Sequence, residues 1–169
     1  MLSERELAFI AIHKDSYPSV FKFVCRRVES AEVAEEIAAD VFRVVWQKWT
    51  DDSRPDLPYL LTVARNLVGN AYRSRDRRLA LQEKLRTTAV QRFGDDSENV
   101  AVQDAMERLR EKDRDILQMA YWDGLGSADI AKVLQCSESA AKVRLHRART
   151  AFRKHLPAGA ESTTQKMGV

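Results

Sequence analysis

Residues 127–153 read SADIAKVLQCSESAAKVRLHRARTAFR, and their pattern decides the fold. Ile130, Ala131 and Leu134 recur at helical spacing and give a short helix over Ser127–Leu134. A break at Gln135-Cys136 follows, and Ser137 stands where a helix N-cap hydroxyl is favoured. A longer helix then runs from Glu138 to about His155. At about 100° per residue, Ala141, Leu145, Ala148 and Phe152 fall within an arc of about 60° and form its core face. The opposite side carries Lys142, Val143, His146, Arg147, Arg149, Thr150 and Arg153. From Ser137 to His155, Lys142, Arg144, Arg147, Arg149, Arg153 and Lys154 face one acid, Glu138. A short helix, a tight turn and a longer basic helix are the signature of a helix-turn-helix that reads duplex DNA. A solvated amphipathic helix is the competing reading. The short helix in front, with its own inward face, weighs against it. So concentrated a positive face repels itself unless phosphates approach.

Working outward, two more helices precede this motif. One covers about Val100 to Arg110, with Val102, Ala105, Met106 and Leu109 as its apolar stripe. The next covers about Glu111 to Trp122, with Ile116, Leu117 and Ala120, and Asp123-Gly124 stops it. Residues 100–156 thus read as one four-helix domain, and 157–169 as a disordered polar tail. Residues 80–99 lose the helical period. A loop that long inside one compact domain is unusual, which favours a flexible linker between two domains. Residues 1–79 form the first domain. Its first helix spans Ser3 to Glu29 with a break expected at Tyr17-Pro18. Its second runs from Ser30-Ala31 to about Trp49, with Val33, Ile37, Val41, Val44 and Val45 on one side, widened by Phe42, Trp46 and Trp49. A polar loop, Thr50 to Asp56, leads to a third helix from Pro58 to Leu79. The expected fold is all-α: two small helical domains joined by a flexible linker, the C-terminal one a helix-turn-helix.

The whole-chain arithmetic agrees. The 169 residues contain 6 Gly and 4 Pro, too few turn residues for many short strands. Lys plus Arg total 28 and Asp plus Glu 25, a net charge of +3 that permits a nucleic-acid partner without requiring one. No apolar run suffices to span a membrane, and MLSERELAFIAIHKD is no secretory signal. Cys25 and Cys136 stand far apart with no CxxC, so they read as buried small residues of a reduced, cytoplasmic protein. The histidines, His13, His146 and His155, are scattered. No nucleophile–base set, metal site or cofactor motif appears, and an enzyme is not expected.

Two further clusters stand out. The third helix carries Arg65, Arg73, Arg75, Arg77 and Arg78 against Asp76. Asn66 and Asn70 share a face with Arg73 and Arg77, and Asn is a poor helix former. They either point at solvent or read nucleotide edges while the arginines hold phosphates. Tyr59 opens the same helix and offers a ring for stacking an unpaired base. The second helix presents Glu32, Glu35, Glu36 and Asp40, either a solvated face or a docking surface for a basic partner.

These stretches together carry a family resemblance. Residues 34–42, AEEIAADVF, followed by Val45-Trp46, resemble the second conserved region of bacterial sigma-70-type factors. Residues 59–66, YLLTVARN, resemble the stretch that follows it. Asp129-Ile130-Ala131, Leu134 and residues 137–149, SESAAKVRLHRAR, resemble the fourth region. The order, the spacing and the missing intermediate domain are those of the extracytoplasmic-function (ECF) group.

The resemblance implies a promoter-specificity subunit. Glu36, Asp40 and Val41 would bind the clamp helices of the largest subunit of core RNA polymerase, with the flap region as a second contact. Ser53, Arg54, Tyr59, Arg65, Asn66, Asn70, Arg73 and Arg77 would grip the melted minus-ten element, Asn66 matching the asparagine that contacts a flipped base. Ser137, Ser139, Lys142, Val143, Arg144, His146, Arg147 and Arg149 would face the minus-thirty-five element. An anti-sigma factor is a further partner that the resemblance leaves open. Tyr59 stands where the family has tryptophan. Gln135 stands where the turn often has Gly, which demands an uncommon backbone conformation of Gln. The alternative is a stand-alone helix-turn-helix repressor or activator binding duplex DNA, which has no use for a single-strand grip.

Overall fold

The computed structural model describes residues 1–50, 53–81 and 100–157. The chain divides into two compact units, Met1–Phe93 and Gly94–Val169. The described residues form seven helices: α1 (Glu4–Cys25), α2 (Ala31–Lys48), α3 (Leu57–Leu81), α4 (Val100–Arg108), α5 (Glu111–Tyr121), α6 (Ser127–Leu134) and α7 (Glu138–Lys154). Most of the linker expected over 80–99, and the tail after Pro157, lie outside the described residues.

In the first unit α1 begins with a reciprocal cap. The Ser3 hydroxyl accepts from the Glu6 N–H at 3.2 Å, and the Glu6 carboxylate accepts from the Ser3 N–H at 2.7 Å. The bonds from the Ser3 backbone and then its side chain hold the Glu6 carboxyl below its ordinary pKa. Contrary to the break expected at Tyr17-Pro18, α1 continues through Pro18. A helix-interior proline costs about 3 kcal/mol. Just beyond it Val20, Phe23 and Val24 are fully buried, and each such side chain returns about 1.5–3 kcal/mol. Rings also bridge the site, His13 on Tyr17 at 5.1 Å and Tyr17 on Phe21 at 5.9 Å. The helix ends at Cys25 rather than Glu29. There the Arg27 guanidinium donates to the Phe23 carbonyl at 2.9 Å and lies 3.5 Å over that ring.

Helix α2 is capped by the Ser30 hydroxyl, which accepts from the Val33 N–H at 3.2 Å. Its core face is Ala34, Ile37, Ala38, Val41, Phe42 and Val45. Val33, expected on this face, is exposed. It sits about 100° from Ala34, and Ala34, Val41 and Val45 set the inward direction. At the other end Arg5 donates to the Trp46 carbonyl at 2.6 Å, with its guanidinium 4.2 Å over the indole. Helix α3 takes its cap from Asp56, whose carboxylate accepts from the Tyr59 N–H at 3.0 Å. Leu60, Leu61, Ala64 and Val68 complete the core. Beyond Val68 α3 leaves the core. The Tyr72 hydroxyl, donating to the Arg27 carbonyl, and an Arg75–Glu29 ion pair tie it back.

In the second unit Ala105, Met106, Leu109, Ile116, Leu117 and Met119 pack against Ile130, Val133 and the inner face of α7. All four expected core residues of α7, Ala141, Leu145, Ala148 and Phe152, are buried. Arg114 closes the end of α4 by donating to the carbonyls of Met106, Glu107 and Leu109 at 2.9, 3.1 and 3.0 Å. Helix α5 stops where Gly124 takes a φ of +69°. Helix α6 ends on Gln135 at φ 55°, ψ 48°, the left-handed conformation its place in the turn demands. The Cys136 N–H then donates back to the Ala131 carbonyl at 3.0 Å, a Schellman-type close. Both cysteines are half-buried rather than buried. Partial burial raises the Cys25 thiol above its ordinary pKa, against the opposing pull of Arg26.

Candidate nucleic-acid interface

Helix α7 is presented rigidly. The Ser137 hydroxyl accepts from the Ala140 N–H at 3.1 Å, so it serves the helix start first. Glu138, the single acid, accepts from the Ser127 hydroxyl at 3.0 Å and lies 3.5 Å from the Lys142 ammonium, linking α6 to α7. Ser139, Lys142, Val143, Arg144, His146 and Arg147 are exposed, and Val143 shows 49% of its surface. Arg149 differs. It is half-buried and donates through Nε to the Tyr121 hydroxyl at 2.5 Å. The geometry brings together an exposed cationic helix on a buried support, the arrangement that enters a major groove.

Helix α3 presents another kind of surface. Tyr59, Asn66, Asn70, Arg73 and Arg77 fall within an arc of about 60° and run about 27 Å along the helix. All five are exposed. Arg73 donates to the Asn70 amide oxygen, and Arg77 Nε donates to the Arg73 carbonyl at 3.4 Å. Arg65 is exposed but lies about 100° from Asn66, off this stripe. Ser53 and Arg54 are exposed in the loop before α3, and their neighbours Asp51 and Asp52 lie outside the described residues. A ring, two amides and two guanidiniums in a row offer stacking, edge hydrogen bonds and phosphate contacts together.

The acidic face of α2 is present in part. Glu36 is exposed, and Asp40 is half-exposed and paired with Arg43 at 2.6 Å. Val41 is fully buried, which corrects its expected place on a polymerase surface. It stands about 100° round the helix from Asp40, on the core face. Among the described residues no group of three or more His, Cys, Asp or Glu could hold a metal ion, and no helix is long and apolar enough to cross a membrane.

Two family models match the chain. Residues 12–78 match the family model for Sigma-70 region 2, and residues 99–152 that for Sigma-70, region 4. The chain belongs to the sigma-70 family, in its ECF group. It is 28% identical over 160 residues to the ECF RNA polymerase sigma factor BldN of Streptomyces coelicolor, covering 89% of this chain and spanning 61% of BldN. It is 27% identical over 167 residues to the ECF sigma factor SigL of Mycobacterium tuberculosis, covering 94% of this chain and 90% of SigL. The fold is also that of the sigma factor RpoE of Bartonella quintana, solved with the anti-sigma factor NepR. That likeness has a TM-score of 0.67 at 20% identity and covers 87% of this chain and 95% of RpoE. CnrH, solved with the cytosolic domain of CnrY, gives 0.62 at 19% identity, covering 86% of this chain and 85% of CnrH. The region 2 match falls on α1 to α3 and the region 4 match on α4 to α7.

Sequence reading missed Tyr121 and the capping carboxylate of Asp56. Asp56 had a local signal, an acid three residues before the N–H it caps. Tyr121 had none, because its partner lies 28 residues away.

Proposed function

We propose that this chain binds core RNA polymerase and directs it to promoters, with no catalysis of its own. Region 2 docks on the polymerase clamp helices through Glu36 and Asp40, and its α3 stripe holds the melted minus-ten strand. Region 4 reads the minus-thirty-five duplex through Lys142, Val143, His146 and Arg147, with Ser139 and Arg144 beside them, and contacts the flap. The protein works in the cytoplasm, and an anti-sigma factor is a further partner, as RpoE of Bartonella quintana has NepR. The observation that supports this most is the pairing of two unlike surfaces in one chain: exposed cations on α7, and amides with an aromatic ring on α3. A duplex-binding repressor needs only the first. Each surface is weak alone and gains strength once polymerase fixes their spacing. Run-off transcription with sigma-free core polymerase tests this. Defined transcripts appear only when the protein is added; identical transcripts with and without it would refute the reading.

A further inference from the structure

Tyr121 closes α5 and reaches across to α7. Its hydroxyl accepts from Arg149 Nε at 2.5 Å, and the guanidinium carbon lies 5.6 Å from its ring centroid. Both residues are half-buried, whereas Lys142, His146 and Arg153 on the same side of α7 are exposed. Seven residues separate Lys142 from Arg149 and four separate Arg149 from Arg153, so the three lie within about 40° on one stripe. An exposed arginine must give up much rotamer freedom to place its fork on a phosphate, and one already held gives up less. The bond to Tyr121 uses Nε, which leaves the two terminal amino groups outside that bond. These suit the planar, two-pronged recognition of a phosphate.

We infer that Tyr121 is a positioning residue that holds Arg149 ready for a backbone phosphate of duplex DNA lying along α7. The inference rests on the reading that α7 faces duplex DNA. A pair that only stapled α5 to α7 would lower stability when broken and leave the salt dependence of binding unchanged.

The test uses the full chain and a fluorescently labelled random-sequence duplex, because a phosphate contact is independent of sequence. Binding is followed by anisotropy from about 50 to about 200 mM salt, where counterion release dominates. Arg149→Ala is expected to reduce the slope of log affinity against log salt by about one. Tyr121→Phe keeps the ring and removes only the acceptor. It is expected to weaken binding about threefold at low salt and to move the slope toward that of Arg149→Ala. In the Arg149→Ala background it should add nothing. Thermal melting of each variant separates folding from binding. Unchanged affinity and slope in Tyr121→Phe, or an equal loss in both backgrounds, would overturn the inference. Lys142→Ala serves as the control. If it weakens binding while Tyr121→Phe does not, only the positioning role falls. If Lys142→Ala also has no effect, the reading of α7 falls with it.

Discussion

Helices α3 and α7 are both basic, yet they keep their arginines differently. On α7 Arg144, Arg147 and Arg153 stand exposed, Arg149 is half-buried against Tyr121, and the single acid, Glu138, is shared between Ser127 and Lys142. On α3 the charges are interwoven with the protein. Arg73 is bonded to Asn70, Arg77 to the Arg73 carbonyl, and Arg75 to Glu29. A row of mostly exposed cations suits a regular phosphate lattice, where each contact adds affinity independent of sequence. A stripe of amides and a ring, with its guanidiniums partly engaged, suits unpaired bases presented one at a time. Similar counts of basic residues, five on α3 and six on α7, therefore do not mean equal tasks.

The largest test of this contrast is on α7. Lys142→Ala and Arg147→Ala should each weaken promoter engagement by the polymerase complex by about 1–3 kcal/mol. If Arg147 reads a base, its loss also relaxes preference at one position; if it holds a phosphate, affinity drops evenly across sequences. Competition binding against a panel of single-base promoter variants measures both. A smaller effect is expected on α3. Asn66→Ala should leave folding and polymerase binding near normal and cost about 1 kcal/mol in opening the minus-ten element. Permanganate footprinting on duplex and pre-melted templates reads this, with the pre-melted template restoring part of the loss. Full opening by the variant would make that asparagine a solvent-facing residue.

Glu29→Gln aims to blur the two helices. Removing the carboxylate beside Arg75 should cost about 0.5 kcal/mol of stability, since the pair is about one-third exposed. It should also raise the chain's affinity for nonspecific duplex slightly, making α3 more like α7. A variant that loses duplex affinity would contradict the contrast. The last test concerns the turn that supports α7. Gln135 holds a left-handed conformation that Gly adopts without strain. Gln135→Gly should raise stability by roughly 0.5–1 kcal/mol, read by thermal melting, and leave DNA affinity unchanged.

Much of this was legible in the sequence because periodicity reports burial. The inner face of α7, the Ser137 cap and the demand on Gln135 all follow from spacing within a few residues. The misreadings have physical causes. Pro18 signals a break locally, but the buried Val20, Phe23 and Val24 beyond it hold the helix together, and that is tertiary information. Residue type puts Val33 on the apolar side and motif resemblance puts Val41 on the polymerase surface, while the core direction of α2 is set by what α1 and α3 press against it. Arg149 read as outward by its angle, but it lies near the edge of the core face, where one ring from α5 decides its direction.

The arginines that close helix ends have a consequence for which substitutions the chain tolerates. Arg27, Arg5 and Arg114 end α1, α2 and α4 by holding backbone carbonyls, in a chain with only 6 Gly to do that work. Lysine carries the same charge but lacks the rigid planar fork whose Nε and Nη donors hold three carbonyls in Arg114. On the open face of α7 such an exchange keeps most of what matters to a phosphate. A lineage drifting from arginine to lysine would therefore pass freely through exposed α7 positions such as Arg144 and Arg153, and be stopped at its helix ends and at Arg149. Among relatives, the arginines that resist the exchange would mark positions held by the fold, and those that accept it would mark the open part of the grip.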